Sequence, residues 1–334
     1  MRHERRRGPR RALKLSDRIC HGVRTPIRRP PIVVEIDVEA DDYCPTTWGR
    51  AAWQGVPLAF AAVDTVCGAL AAMGHRARFA WGLRLDPQVA IGEGRPDYIL
   101  SEFDDQIASA RFRGDSFGAH PHWYRLVDGE WVEDTTDPAW VQQCIGLSLE
   151  TFRAGFGRTP TWIHFGESWM DQACFNRAVD EGIRLILTPE PGMNIDPTGL
   201  PGPFRGKYPT YPGRLRRPYW GSRRNFLRRG LQRRTLVVPR TAAPLPHARR
   251  RGSTHTNRWV SDDETTFRSW IQQARTDGRG EYFVLAVRSH VFRDPARAAN
   301  VVANLTWLVT GADGPQGDLV TPEEAFLDRS VPRG

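Results

Sequence analysis

No stretch of the 334-residue chain approaches the run of about eighteen apolar residues that a membrane helix needs, so the sequence predicts no membrane span. The N-terminal MRHERRRGPRRALKLSDRICHG is basic but lacks an apolar core, which excludes a secretory signal and leaves the expectation of a cytoplasmic protein. Cysteine is sparse: Cys20, Cys44, Cys67, Cys144 and Cys174 are an odd number with no CxxC pair. That argues against a disulfide framework and a zinc knuckle, and fits a reducing compartment. Internal repeats are missing too. Acid is absent from one long stretch: residues 204–251 hold fifteen Lys and Arg and no Asp or Glu. Residues 1–30 hold eleven Lys and Arg against two acids, a local +9 that already equals the net charge of the whole chain. The +15 of residues 204–251 is therefore offset by −15 elsewhere, so an acidic body carries two basic appendages. The arm, residues 1–30, is rich in Arg and Pro without apolar periodicity. It is expected to be disordered and to suit an anionic surface or nucleic acid, or else to serve as a solubilising tail.

What is present reads as alternating strands and helices. Ile32, Val33, Val34 and Ile36 form a β-branched run, a buried strand. Spaced apolar residues from Trp48 to Met73 predict a helix closed by Gly74, and Ala77 to Leu83 a second strand. Helical spacing follows over Tyr98–Phe112, a strand over Ser116–Trp123, a helix over Gln142–Phe156 and a strand over Thr161–Phe165. A helix from Asp171 to Glu181, ended by Gly182, precedes a strand from Ile183 to Leu187. Residues 189–250 break the alternation as a long basic insertion, with only Thr235–Pro239 strand-like. Its Tyr208, Tyr211, Tyr219, Trp220 and Phe226, interleaved with Arg, suit stacking on sugar rings or bases, or else form a looped surface with solvated arginines. A helix capped by Ser261 over Asp262–Ala274, a strand over Tyr282–Val287, a helix over Pro295–Val309, a strand over Leu319–Thr321 and a helix over Pro322–Leu327 restore it. The pattern predicts an α/β fold with a parallel sheet.

Three predicted strands end in groups that carry chemistry. The first runs into Asp37, Glu39, Asp41 and Asp42, where Asp37 and Glu39 point the same way along extended chain. One can bind a metal while the other acts as a base; the alternative is a solvated acidic loop with a helix N-cap. Cys44, close to this loop, reads as a buried or incidental thiol. The strand from Ser116 ends in His120 and His122, spaced i, i+2 and so on one face, and a late strand ends at His290. Two imidazoles and a carboxylate are the ligand set of a hydrolytic metal site with a position open for water, and a metal there acidifies water and polarises a carbonyl.

IDVEADD, GAHPHW and LAVRSH stand in the order seen in NodB-like polysaccharide deacetylases, and over roughly residues 31–328 the chain resembles that family. FGRTPTWIHFGESWMDQACFNRAVDEGIRLILTPEPG, VVPRTAAP and LVTPEEAF are similar to its intervening and later elements. The resemblance implies a distorted (β/α) barrel over residues 31–330, with the insertion at about 190–250, and a divalent metal, usually zinc, at the carboxyl ends of the strands. Carried over by position, Asp37 is the base, Glu39 a metal ligand, His120 and His122 the imidazole ligands and His290 the acid. The family most often has Asp where Glu39 stands, and commonly spaces its histidines i, i+4. His164 stands where many members have an Arg that orients the base, so it either substitutes for that Arg or marks a changed substrate. The implied activity is removal of an N- or O-acyl group, such as acetyl, from a carbohydrate. A non-catalytic glycan-binding member, or an amidase acting on a small cyclic amide, are the alternatives.

Overall fold

The computed structural model of the chain describes residues 29–42, 52–192, 203–231, 233–244, 255–256, 258–276 and 281–328. The expectations for the arm up to residue 28, and for Cys20 and Cys44, fall outside them. The first strand, β1 (Pro31–Val38), is buried on both faces, as its β-branched run requires. It is followed by α1 (Gly55–Ala72), β2 (Ala80–Leu83), α2 (Pro87–Glu93), α3 (Tyr98–Glu102), α4 (Asp104–Arg113) and β3 (Ser116–Ala119). The helix expected over 98–112 is thus two, divided at Phe103, whose side chain turns into the core. The expectation of no membrane-length segment also needs correction: α1 has 18 residues of mean hydropathy 1.6, enough by length and composition to cross a bilayer. Its Val56, Phe60, Val63, Val66 and Leu70 instead join the core beneath β1.

A hairpin, β4 (Tyr124–Val127) and β5 (Glu130–Asp134), then leads to α5 (Pro138–Phe156), β6 (Trp162–Ile163), α6 (Gln172–Asp180) and β7 (Leu185–Ile186). The basic stretch contributes β8 (Phe204–Arg205), paired with β5, then β9 (Tyr219–Trp220), β10 (Leu236–Val237) and β11 (Ala243–Pro244), the last paired with β12 (His255–Thr256). Its Tyr211, Tyr219 and Phe226 are 2%, 3% and 6% exposed and belong to the core around α5 and α6, so they offer no stacking platform. The remainder is α7 (Glu264–Ala274), β13 (Phe283–Arg288), α8 (Pro295–Thr310), β14 (Asp318–Leu319) and α9 (Pro322–Phe326). Asp263, not Ser261, caps α7, accepting from the Thr266 N–H; Ser261 Oγ instead accepts from Arg297.

The main sheet runs β13–β1–β2–β3–β6–β7–β10–β9, with β14 also on β1, and every pairing in it is parallel except β9 with β10. It curls into a distorted (β/α) barrel. Between β10 and β13 no ladder closes the ring among the described residues. Irregular chain bridges it: the Thr241 N–H donates to the Val284 carbonyl at 3.0 Å and the Val260 N–H to the Ala286 carbonyl at 3.2 Å. The strand period of two sorts the side chains. Ile32, Val34, Ile36 and Val38 face the helices, while Val33, Ala80, Trp162, Leu185, Leu236, Val238 and Val284 fill the interior. Gly118 gives Trp162 its room, since a Cβ there would lie 2.3 Å from the indole ring.

Candidate active site

On five strands the interior line is polar at or beyond the carboxyl end. On β1 it reads Val33, Glu35, Asp37, Glu39; after β3, His120 and His122; after β6, His164; after β10, Arg240; on and after β13, Arg288 and His290. Parallel neighbours in register bring these ends to one level: Asp37 pairs with Gly82 on one side and Arg288 on the other. The structure therefore gathers all six residues the sequence singled out. It adds Glu35, Glu190, Arg240 and Arg288, which sequence reasoning missed.

Glu39, His120 and His122 are each 1% exposed. Glu39 Oε1 lies 3.3 Å from His120 Nε2 and 3.2 Å from His122 Nε2, and the two imidazole nitrogens are 3.0 Å apart. A tetrahedral ion about 2.0–2.1 Å from each ligand spans ligand–ligand edges of roughly 3.3 Å, so the triangle has the size of one face of a zinc site. His120 Nδ1 is 3.0 Å from the His164 carbonyl, a partner that needs an N–H and so leaves the lone pair on Nε2, facing the triangle. Glu39 Oε2 and His122 Nδ1 are buried without hydrogen-bond partners. Burial, then the Arg84 guanidinium, pushes His122 down to about 3, so its ring is neutral and able to donate a lone pair. Burial would raise Glu39, but Arg288 and the two imidazoles outweigh it and hold the carboxyl well below its ordinary range. The donor set and spacing fit a divalent ion with nitrogen preference.

Asp37 lies in a second cluster with Glu35, His120 and His164, whose ligand atoms all fall within 4.8 Å of one another. His164 Nδ1 is 3.0 Å from Glu35 Oε1 and 3.5 Å from Asp37 Oδ1. The Arg240 guanidinium is 3.0 Å from Glu35, 3.6 Å from Asp37 Oδ2 and 3.3 Å from Glu190. A guanidinium therefore does face Asp37, but it arrives from the segment after β10, while His164 leans towards Glu35. Burial tends to raise Asp37; His120, His164 and Arg240 overcome it and hold the carboxylate ionised far below its usual range. For His164, burial and Arg240 oppose the charged ring, yet Glu35 and Asp37 win and raise it.

The rim is more open. His290 and Arg288 side chains are 18% and 21% exposed and stand 3.8 Å and 3.5 Å from Glu39 Oε2. The Arg288 guanidinium stacks on Trp259 at 4.5 Å. Burial lowers His290, with Glu39 pulling the other way. Across the rim, Tyr124 stacks on His122 at 5.7 Å, and Tyr208 OH donates to Glu133 at 3.3 Å. The turn Gly166–Ser168 presses on the His122 ring, and Glu167 and Ser168 both hold left-handed backbone, φ 49° and 53°. Two such residues in succession are strained, and strain of this kind gathers at functional sites.

No protein-family profile and no curated protein sequence matches the chain. Solved structures do. The PuuE allantoinase structure superposes with a TM-score of 0.52 at 10% identity, covering 89% of each chain. A probable polysaccharide deacetylase from Pseudomonas aeruginosa PAO1 gives 0.52 at 9% identity, covering 89% of this chain and 90% of that one. The chain has the NodB-like deacetylase fold. Within that fold, the triangle and the Asp37 cluster sit at the carboxyl ends of the parallel strands.

Proposed function

We propose that the protein is a metal-dependent hydrolase that removes an N- or O-acyl group from a carbohydrate. The observation that carries this reading is the buried triangle of Glu39, His120 and His122, with an ionised carboxylate beside it. Glu39, His120 and His122 would hold the ion, zinc by their donor chemistry. When bound, the ion supplies acidity to water and polarisation to the acyl carbonyl. Asp37, kept ionised by Arg240 and His164, accepts the proton that water gives up. His290, at the rim, returns a proton to the departing nitrogen or oxygen. Trp259 and Arg288 form the wall against which a sugar ring packs.

Elemental analysis of the purified protein is expected to find about one equivalent of zinc, and His120→Ala to lose it while keeping the wild-type circular dichroism. Asp37→Asn should retain the ion and lose about 10²–10⁴-fold in rate on an acetylated oligosaccharide. His290→Ala should lose as much on the amide and less on an activated ester, whose leaving group needs no proton. Stoichiometric metal in His120→Ala would refute the ligand set. A fully loaded protein that hydrolyses cyclic amides but no acylated sugar would favour the amidase reading; one that binds glycans and turns over nothing would favour the non-catalytic one.

A further inference from the structure

Between β9 and β10 the chain leaves the sheet edge and returns, and Ser222–Arg234 carries six arginines and no acid. Arg223, Arg224, Arg228, Arg229, Arg233 and Arg234 are all exposed. Arg223 pairs with Asp180 on α6; the other five make no ion pair with any described residue. Like charges this close repel, and nothing within the loop offsets them.

Residues 222–230 of the loop are nevertheless held in place. Phe226 is 6% exposed, its ring 6.3 Å from Phe175 on α6. The Phe226 N–H donates to Gln172 Oε1 at 2.7 Å, and Gln172 Nε2 donates to the carbonyls of Ser222 and Arg223 at 3.3 and 3.2 Å. The Ser222 N–H donates to the Arg228 carbonyl at 3.1 Å, Gly221 bridges Arg229, and the Gly230 N–H returns to Trp220 at 2.6 Å. A buried aromatic anchor and this hydrogen bonding thus maintain a cationic platform that does nothing for the interior. It stands at the β9 edge of the sheet, with β6, β7 and β10 between it and the strand that carries His120.

The partner that fits is a polyanionic surface, and one side chain says which. The aromatic residue within the loop, Phe226, is core, and Trp220 at its start is partly buried against the interior, so the loop presents no fully exposed aromatic ring for stacking on bases. Among the described residues of the loop, the apolar side chain left fully in solvent is Leu231, flanked by Arg228 and Arg229 on one side and Arg233 and Arg234 on the other. An exposed aliphatic side chain amid arginines matches the boundary between lipid headgroups and acyl chains, not a phosphodiester backbone. We propose that the β9–β10 loop docks the protein on an anionic lipid bilayer, its arginines on lipid phosphates and Leu231 within the interface.

The test is co-sedimentation of the full chain with vesicles of phosphatidylcholine alone or mixed with phosphatidylglycerol, at low and high salt. Binding is expected to the mixed vesicles only, and to fade with salt. Each arginine near such a surface contributes about fivefold in affinity, so changing Arg228, Arg229, Arg233 and Arg234 together to Gln should weaken binding by at least about 100-fold. Leu231→Asp should weaken it with all arginines present. The N-terminal basic arm is common to every variant, and hydrolysis of a soluble ester should be unchanged in each. Equal vesicle binding by wild type and the four-Gln variant would overturn the proposal. So would a DNA duplex that competes the vesicles off while Leu231→Asp affects neither ligand, which would assign the platform to nucleic acid.

Discussion

Arg240 answers three buried carboxylates at once, lying 3.0, 3.6 and 3.3 Å from Glu35, Asp37 and Glu190. Removing one partner of such a cluster leaves charges stranded without water, a loss of about 3–5 kcal/mol. Arg240→Met is therefore expected to lower the urea midpoint sharply, and Arg240→Lys, which keeps the charge but not the planar fork, to fall between. An unchanged midpoint would mean the carboxylates are satisfied otherwise. Glu133 carries the opposite imbalance: burial, then the charge of Glu167, holds its carboxyl well above the usual range. An acid raised by folding is easier to keep protonated than to ionise. Stability is thus lost as pH climbs from the unfolded value, about 4.3, towards the folded one. Glu133→Gln removes that loss, so it should be more stable than wild type near neutrality and equal to it near pH 4 or below, as thermal melts across pH would show. A gain independent of pH would assign the effect to packing. The triangle was legible in the sequence because period two continues past the ends of β1 and β3. Arg240 was not, since one cation after TLVVP is lost among fifteen in residues 204–251. Glu35 hid inside the apolar run, where its charge was the unread signal.

Among the elements, the turn Gly166–Ser168 bears most directly on the site. A Cβ on Gly166 would lie 2.4 Å from His122 Cδ2 and Cγ, so Gly166→Ala must displace the ring or the turn. Shifting a ligand's support typically costs about 10–100-fold in metal affinity, and that loss is expected here in a chelator competition, with the fold retained. Wild-type affinity would show that the imidazole is not a ligand. Several strands were readable from short β-branched runs between helical patterns, even where only two residues form a ladder, as in β6, β7 and β10. The hairpin β4–β5 lies outside the sequence-based expectation, although Asp128-Gly129, with φ 51° and 85°, is the turn pair that joins such strands. The helix α2, absent from the sequence-based expectation, has its own end signals: Asp86 capping, Pro87 in the first turn and Gly94 left-handed at the end. Its brevity, seven residues, left too little periodicity to notice.

At the scale of the whole molecule, β1 is the centre, with β13, β14 and β2 all paired to it. Its hydrogen bonding begins at Pro30, whose carbonyl accepts from the Asp318 N–H at 3.2 Å, and Arg29 stands 3.7 Å from Asp318. A chain beginning at Arg29 keeps all of these contacts and is expected to melt with the full-length protein in calorimetry. A clear drop would show that residues before it pack on the barrel. The overall architecture was legible because alternation constrains a parallel sheet strongly. The closure was not: hydrogen bonds from Thr241 and Val260 to β13 come from irregular chain that carries no periodic signature.

Ser289 Oγ accepts from the Glu39 N–H and donates to the Glu39 carbonyl, both at 2.9 Å, across 250 residues of sequence. Synthesis makes Glu39 early and Ser289 late, so 250 further residues must follow before the backbone of Glu39 is fixed in place. Contacts of such span also close slowly. The Glu39 corner of the cage is therefore complete only once β13 and the turn after it have joined β1.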